Sequence, residues 1–460
     1  MSGLAERNGG RAGLVVLAVI LLLGLVLRVG EAWDGRAPVF DAAAYAEIAR
    51  NLDGGEGFTL GSTATQPASN YSPGVPLFAA GIYKLTGGVH ERTVRLGLAL
   101  LGTLAVLFTY LIGRRLSGPL AGLIGAGAIA IYPALLEYQG MLMGEPLAAA
   151  LLSGGVLATF WAAGPTVLAR GSCRGGWGAL RAGHGPSSTP LPPRHPRVKW
   201  LLPGALFGCL MLVRPEYLGI VLLVSLAVLA KDWRLDRRGS LANAAILLAG
   251  VAIVAVPWTV RNAVALDRFV PISTGGGQVL FAGTYLPSDG DPEKVGAEVV
   301  ERHPELFGPG AVEQLRLEQI LARLSAQRYP KLETDEALGR MGREQLWDDV
   351  SEEPVEYAGF VATKVGRIWA HGPRDVMRQP GWKLLHWALV AFGLVGLIVL
   401  AARRDWEALL LATIFFGIIA ICALLVASPR RVLVMLPLVA ALAGVGFVAC
   451  RDSLARGWRS

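Results

Sequence analysis

Charged side chains are scarce in this sequence of 460 residues, where Asp, Glu, Lys and Arg together make up 17%, against roughly 25% in an average soluble domain. Only four cysteines occur, and there is no CxxC pair, no HExxH motif and no P-loop. These absences argue against a disulfide framework, a zinc site and ATP hydrolysis. An intrinsically disordered chain is excluded as well, because 53% of the residues are apolar.

Long apolar runs are abundant instead. A helix of about 20 apolar residues spans the hydrocarbon of a bilayer, so these runs predict an all-α polytopic membrane protein surrounded by membrane lipids. The ten expected transmembrane helices lie near residues 13–29, 93–112, 118–136, 145–163, 200–213, 216–230, 241–259, 383–402, 406–427 and 432–450. The net charge is +8, but basic residues gather at the ends of the apolar runs, so no nucleic-acid partner is expected.

Basic residues also predict the orientation of the chain. If the N-terminus is cytoplasmic, five basic clusters fall on the cytoplasmic face, namely Arg7 with Arg11, Arg114 with Arg115, Lys231 to Arg238, Arg403 with Arg404, and Arg451 to Arg459. The positive-inside rule then places both termini in the cytoplasm and the protein in the plasma membrane. The first apolar run also resembles a signal peptide, but no clear small-residue cleavage site follows it, so we interpret it as an uncleaved anchor.

Three segments are expected outside the bilayer. Residues 30–92 form a helical first external loop, whose apolar stretch Pro76 to Leu85 is too short to cross the membrane. Residues 164–199 contain six Pro and six basic residues without an acid, which predicts a disordered cytoplasmic linker. Residues 261–382 form an external helical segment that separates an N-terminal transmembrane module, 1–260, from the C-terminal transmembrane helices, 383–460.

The first external loop carries a candidate catalytic carboxylate. Asp41 precedes a helix-forming run, and Tyr45, four residues later, would share its helix face. A carboxylate just outside the membrane can take a proton from an incoming hydroxyl. The alternative is an N-cap, which stabilises a helix by about 1 kcal/mol.

Glu145 is a second candidate. It precedes Pro146 at the external start of the fourth apolar run, where a carboxylate also interacts favourably with the helix dipole. Two carboxylates on one membrane face can orient an acceptor or hold a divalent cation. A divalent cation is therefore the one cofactor that the sequence leaves open.

Arginines are the third feature of the external face, where the positive-inside rule predicts few of them. Those at the external ends of the apolar runs are Arg28, Arg214, Arg261, Arg430 and Arg431. A guanidinium binds a phosphate through two charge-assisted hydrogen bonds, so this group predicts an anion site. The alternatives are snorkelling to lipid headgroups and, for Arg214, a pair with the adjacent Glu216.

Several other motifs are better explained by structure than by function. Asp289-Gly290-Asp291 resembles a metal-binding DxD, but Pro292 and Glu293 follow and indicate a turn before a helix. Gly275-Gly276-Gly277 is either a turn or a cradle for an anion. Gly125-Ala126-Gly127 lies in an apolar run and predicts close helix packing. His371, near Trp369, is expected at the membrane interface rather than in a metal site.

Taken in order, the motifs resemble those of the membrane glycosyltransferases of the GT-C superfamily. The similarity is to the family 39 branch of protein O-mannosyltransferases and the aminoarabinose transferase of lipid A. It runs from the first apolar run to about Tyr285 and returns around Arg430 to Pro437. The motifs are Asp41-x-x-x-Tyr45, Tyr71-Ser72-Pro73-Gly74, Gly144-Glu145-Pro146, Val213-Arg214-Pro215-Glu216 and Pro257-Trp258-Thr259-Val260-Arg261.

This resemblance implies an enzyme that transfers a hexosyl or pentosyl group, with inversion, from a polyprenyl phosphate donor to a hydroxyl acceptor. It makes Asp41 the expected catalytic residue. Where the family often has an acidic pair, Ala42 follows Asp41, which leaves a second carboxylate role to Glu47 or Glu145. Either Arg430 or Arg431 is the expected phosphate ligand.

Two other function classes stay open from the sequence. A flippase or transporter of lipid-linked sugars would also need a polytopic body and a phosphate site, but the scarcity of charge within the apolar runs counts against it. A non-catalytic membrane scaffold would use residues 261–382 to bind partners, and its external carboxylates would be dispensable.

Overall fold

The computed structural model describes residues 2–61, 66–164, 197–308, 310–370 and 374–457. Most of the predicted linker 164–199, with Cys173, lies outside these described residues, as does His371.

The described chain is almost entirely helical, as its apolar runs predict. The first half contains α1 (Ser2–Trp33), α2 (Asp41–Gly54), α3 (Gly74–Thr86), α4 (Glu91–Ser117), α5 (Pro119–Ala130), α6 (Pro133–Glu137), α7 (Glu145–Ala163), α8 (Leu201–Val213), α9 (Leu218–Lys231) and α10 (Arg237–Leu266). The second half contains α11 (Gly276–Thr284), α12 (Val295–Arg302), α13 (Ala311–Gln314), α14 (Leu317–Arg328), α15 (Thr334–Glu352), α16 (Pro354–Ala370), α17 (Pro380–Ala402), α18 (Trp406–Leu424) and α19 (Arg430–Gly457). One antiparallel pair of two-residue strands, β1 (Thr59–Leu60) and β2 (Gln66–Pro67), follows α2.

The protein is a polytopic membrane protein with fewer full-length spans than the ten expected. Among the described residues, seven helices are long and apolar enough to cross a membrane, or eight if the bent pair of α5 with residues 133–140 is one span. The full-length candidates are α1, α4, α7, α10, α17, α18 and α19. The remaining predicted spans, 200–213 and 216–230, coincide with α8 and α9, which have only 13 and 14 residues.

Helix α19 lies at the centre of the bundle and packs against α4, α5, α7 and α17. Glycines bring its neighbours unusually close. A Cβ atom on Gly446 would come within 2.0 Å of the Phe392 carbonyl oxygen in α17, and one on Gly125 in α5 within 2.6 Å of the Ala440 oxygen. Small residues at such crossings permit tight packing of membrane helices, so the packing role predicted for Gly125 is confirmed.

One end of the bundle carries the helices that do not span, and we call it the capped end. It holds α2, the β1–β2 pair and α3 from residues 30–92, together with α11 to α16 from residues 261–382. Helix α3 covers the apolar stretch that the sequence places outside the bilayer. Leu315 and Arg316 are extended between α13 and α14, so residues 312–328 do not form one continuous helix.

Lys364 attaches the helices of the capped end to the bundle. Its side chain is 1% exposed, and its Nζ donates hydrogen bonds to the carbonyl oxygens of Gly283, in the last turn of α11, and Ala423, in the last turn of α18. Helix C-termini present unsatisfied carbonyls and the negative end of the dipole. Burial, with a smaller contribution from the positive charge of Arg431, lowers the pKa of Lys364 from 10.5 to about 8.

This pKa predicts how stability depends on pH. Between about pH 8 and 10.5 the unfolded chain holds more protons on Lys364 than the folded chain, so its contribution to the free energy of unfolding rises with pH. We expect the difference in apparent melting temperature between wild type and Lys364→Met to grow in favour of wild type over this range. Differential scanning fluorimetry in detergent measures it, with the exposed Lys383→Met as control. A difference that is independent of pH would refute the assignment.

Candidate functional site

Six charged residues converge at the capped end, and each lies at or next to the end of a helix. Three are acids and three are arginines, so their formal charges cancel. They are Asp41 at the start of α2, Glu145 at the start of α7, Arg214 and Glu216 between α8 and α9, and Arg430 and Arg431 at the start of α19. We call these six residues the ion-pair chain.

Glu145 is the centre of the ion-pair chain. Its Oε1 accepts hydrogen bonds from Arg430 Nε at 2.6 Å and from Arg214 Nη2 at 2.7 Å. Its side chain is completely buried, and its Oε2 has no hydrogen-bond partner among the described residues. A buried carboxylate is tolerated when cations and hydrogen bonds compensate for its lost hydration, and here two guanidinium groups do so.

Arg430 and Arg214 extend the ion-pair chain outward from Glu145. Arg430 Nη1 donates to Asp41 Oδ2 at 3.2 Å. In the other direction, Arg214 Nη1 lies 3.6 Å from Glu216 Oε1, and Arg431 Nε lies 3.5 Å from the same oxygen. The order of the chain is therefore Asp41, Arg430, Glu145, Arg214, Glu216 and Arg431.

Prolines help to place these residues. Arg214 ends α8 in an extended conformation, with φ −141° and ψ 90°, as expected for a residue that precedes a proline. Pro215 then begins a short 3-10 turn that turns Glu216 back beside Arg214. The pairing of these two residues, which the sequence left as an alternative, is present, but Arg214 also binds the distant Glu145.

A cavity of about 510 Å³ lies beside the ion-pair chain. Its wall is formed by α2, the 70–72 loop, the start of α11, α14 and the segment before α19. The lining residues are Asp41, Tyr45, Asn70, Tyr71, Ser72, Pro215, Glu216, Ser273, Thr274, Gly275, Gly276, Gln278, Val279, Glu318, Leu425 and Arg431. Polar side chains and backbone thus surround a space of the size typical for small-molecule sites.

Three of the six residues of the ion-pair chain line the cavity. Asp41, Glu216 and Arg431 line it, whereas Arg430, Glu145 and Arg214 are not among its lining residues. The Asp41 side chain is 46% exposed. Arg431 is 9% exposed, and its buried Nη1 has no acceptor among the described residues. The cavity is therefore lined by an accessible carboxylate and by a guanidinium whose buried Nη1 is unpaired among the described residues.

Tyr45 and Glu47 occupy different positions on α2. Tyr45 lines the cavity, as its spacing from Asp41 predicts, and its ring packs edge-on against Tyr71 with centroids 5.9 Å apart. Burial, and then the Asp41 charge, raise the pKa of Tyr45, so its phenol is protonated at neutral pH. Glu47 does not line the cavity, and its Oε1 accepts a hydrogen bond from the Gly61 backbone N–H at 2.8 Å.

Arg28 lies outside the ion-pair chain. It is 1% exposed and donates to the carbonyl oxygens of Ile129 and Ala130 at 2.9 and 3.0 Å. These are the last residues of α5, where the helix leaves carbonyls unsatisfied. The guanidinium of Arg28 thus caps the break between α5 and α6.

Arg261 also lies apart from the other arginines. Its guanidinium packs over the rings of Phe58 and Trp258, 5.4 and 5.0 Å from their centroids, and donates to the Phe58 carbonyl oxygen at 3.2 Å. These cation–π contacts link α10 to the chain after α2.

Two helix-end interpretations from the sequence need correction. Asp41 is not an N-cap, because α2 begins at Asp41 itself and its carboxylate makes no capping hydrogen bond. The Gly275–Gly277 segment does begin a helix, and its N–H groups do bind an anion, but that anion is the chain's own Asp335. The Asp335 Oδ1 accepts from Gly277 and Gln278 N–H at 2.9 and 3.1 Å.

The Asp289-Gly290-Asp291 motif forms a turn. Asp291 Oδ1 accepts a hydrogen bond from the Glu293 N–H at 3.1 Å, and Asp289 pairs with Arg367 at 2.6 Å. The turn interpretation is therefore confirmed, and the motif lies away from the cavity.

Several lining residues were not singled out from the sequence. Tyr71 and Ser72 were part of a quoted motif, and Glu216 was noted only as a neighbour of Arg214. Gln278 and Glu318 carry no local signal, because they reach the cavity only when residues 261–382 fold over it.

The carboxylates do not form a metal site. Each acid of the ion-pair chain faces an arginine rather than another acid, and the described residues contain no group of three or more His, Cys, Asp or Glu side chains placed to hold a metal ion. A divalent cation prefers several oxygen ligands around one point. The donor set does not fit this cofactor, so we derive no step through a metal.

No protein-family model matches the sequence, and no curated protein does either. Solved structures of the oligosaccharyltransferase from Archaeoglobus fulgidus do match. Its apo form aligns with a TM-score of 0.54 at 16% sequence identity, covering 97% of this chain and 52% of that one. The complex of this enzyme, AglB, with an inhibitory peptide and a dolichol-phosphate gives 0.53 at 17% identity, covering 97% and 51%.

These matches define the class of the fold. Almost the whole chain aligns with about half the length of each archaeal protein, and the common part is a polytopic helical bundle. The fold is therefore GT-C-like, as the sequence resemblance implied. ArnT from Cupriavidus metallidurans bound to undecaprenyl phosphate aligns less well, with a TM-score of 0.41 at 16% identity, covering 95% of this chain and 77% of that one.

Removing the central charge should destabilise the protein. Glu145→Gln leaves Arg214 and Arg430 without their common counter-charge, and breaking a buried pair costs about 3–5 kcal/mol. Glu91→Gln is the matched control, because its pair with Arg50 is solvent-exposed at 3.4 Å and contributes about 1 kcal/mol or less. Thermal unfolding in detergent should separate the two variants by many degrees, and equal melting temperatures would contradict a central role for Glu145.

Proposed function

We propose that this protein is an inverting membrane glycosyltransferase, which moves a sugar from a polyprenyl phosphate carrier to a hydroxyl on a cell-envelope glycan, lipid or protein. The observation that carries the proposal is that Asp41 and Arg431 both line one cavity. A base for the acceptor and a cation for the leaving group are the two groups that such a displacement requires. The AglB structure, which contains a dolichol-phosphate, supports this choice of carrier.

Asp41 is the proposed general base. Arg430 binds one of its oxygens at 3.2 Å, which orients the carboxylate, while the exposed part of the side chain faces the cavity. As the acceptor oxygen forms a bond with the anomeric carbon, its proton passes to Asp41. The bond between that carbon and the phosphate oxygen breaks, and its electron pair leaves with the phosphate.

Arg431 is the proposed phosphate ligand. Arg430 already donates to two acids and Arg214 forms ion pairs with two, whereas the Nη1 of Arg431 has no acceptor among the described residues. Leaving a buried donor unpaired costs about 1–3 kcal/mol, and a phosphate oxygen would remove that cost. A guanidinium placed there stabilises the charge that develops on the leaving group, which is the largest catalytic contribution in many enzymes.

The other candidate residues have supporting roles in this proposal. Glu145 positions Arg430 and Arg214 without touching substrate, since it is completely buried. Tyr45 offers a protonated hydroxyl to the sugar or acceptor. Glu47, Arg28 and Arg261 hold the framework around the site instead of contacting the donor.

The proposal also includes the orientation of the protein in the membrane and the role of residues 261–382. Arg114, Arg115 and Lys231 lie at the bundle end opposite the capped end, so the positive-inside rule places the capped end outside the cell and both termini in the cytoplasm. Residues 261–382 contribute Gln278 and Glu318 to the cavity wall. We propose that this external segment, between the modules 1–260 and 383–460, contacts the acceptor.

A lipid profile of the native host tests the activity. A strain that lacks this protein should accumulate one polyprenyl phosphate sugar, and wild type should clear it. Asp41→Asn should not, because loss of a general base lowers turnover by about 10²–10⁴-fold. Asp53→Asn, on the same helix but away from the cavity, should clear it like wild type. If expressed Asp41→Asn protein clears the lipid normally, Asp41 is not the base and a flippase gains support.

Binding of undecaprenyl phosphate to the purified protein tests the proposed role of Arg431 as the phosphate ligand. Arg431→Gln should weaken binding by about 10-fold or more, because a hydrogen bond to a charged group contributes about 1.5–3 kcal/mol. Arg367→Gln, which removes an arginine outside the cavity, should bind normally. Unchanged affinity of Arg431→Gln, measured by native mass spectrometry, would remove Arg431 from the proposed mechanism.

A further inference from the structure

A second large concavity lies at the bundle end opposite the capped end. It is a groove of about 660 Å³ between α4, α7 and α8. Its floor is apolar and includes Phe108, Leu111, Leu157 and Leu206. Because these helices belong to the membrane-embedded bundle, an occupant of the groove has to reach it from the bilayer.

Positive charge gathers at the mouth of this groove. Arg114 lines it and is exposed, with no ion-pair partner among the described residues. Lys199 lies over the ring of Trp161, another lining residue, with Nζ 5.0 Å from the ring centroid. Arg115 is the one cation there that is already paired, to Glu407 at 3.1 Å. The mouth thus has two cations available to an anion.

The chain itself is a poor candidate to cover this groove. Residues 165–196, which connect α7 to α8 and lie outside the described residues, contain four Lys or Arg and no acid. A segment of that composition has the same sign of charge as the mouth of the groove and does not complement it. The occupant should instead combine a negative head with an apolar body.

We propose that this groove binds an anionic phospholipid of the membrane. The lipid phosphate lies at Arg114 and Lys199, and one acyl chain lies along the apolar floor between α4, α7 and α8. Trp161 occupies the headgroup level between them, where amphipathic aromatic side chains are favoured. Basic pockets between transmembrane helices are suited to anionic headgroups. This site is separate from the cavity beside Asp41 and does not depend on the proposed glycosyl transfer.

Native mass spectrometry of the full-length protein tests the site. The probes are phosphatidylglycerol and phosphatidylcholine with identical chains, so that only the headgroup charge differs. Wild type should retain phosphatidylglycerol preferentially. Arg114→Ala and Lys199→Ala should each lower its affinity about fivefold, since one basic residue near an anionic lipid contributes about 1 kcal/mol. Arg238→Ala, which removes an exposed arginine at the same end but outside the groove, should change nothing.

A variant that fills the groove tests where the acyl chain of the lipid lies. Leu202→Trp adds bulk to a half-exposed lining position and leaves both cations in place, so it should lower retention of both lipids. Equal retention of the two lipids by wild type, or an unchanged preference in Arg114→Ala and Lys199→Ala, would overturn the proposal. Retention of undecaprenyl phosphate but not phosphatidylglycerol would overturn it too and would assign the groove to the carrier lipid.

Discussion

The buried carboxylate of Glu145 holds the site together. One of its oxygens binds an arginine from α8 and an arginine from α19, and the second of these arginines reaches α2 through Asp41. Four helices that are distant in sequence thus meet at one charge. Because three acids alternate with three arginines, each buried charge in the series has a neighbour of opposite sign. These pairs compensate for the hydration that the ions lose on burial.

Only part of the ion-pair chain lines the cavity. Glu145 is completely buried and binds Arg430 and Arg214, whereas Asp41 and Arg431, at the two ends of the ion-pair chain, line the cavity. Helix α8, which ends beside Arg214, is short. Its 13 residues rise about 20 Å, less than the roughly 30 Å of bilayer hydrocarbon.

Much of the fold could be predicted from the sequence, because apolar runs and basic flanks are local signals. Nine of the ten apolar runs each fold mainly as one helix, and the run 118–136 is divided between α5 and α6. Asp41, Glu145, Arg214, Arg430 and Arg431 do converge at one end. The sequence does not show which groups the charged residues bind. Nothing local distinguishes Arg28, which caps a helix break, from Arg430, which binds two acids. Likewise, the sequence leaves a turn and an anion cradle open for the Gly275–Gly277 segment, and only the folded chain places Asp335 there.

The most direct test of this account is a cryo-EM structure of the protein with undecaprenyl phosphate. We predict density for the phosphate in the cavity beside Asp41, with a phosphate oxygen within hydrogen-bonding distance of Arg431 Nη1 and the ion-pair chain intact behind it. A phosphate bound elsewhere, with the cavity beside Asp41 free of lipid, would contradict the account.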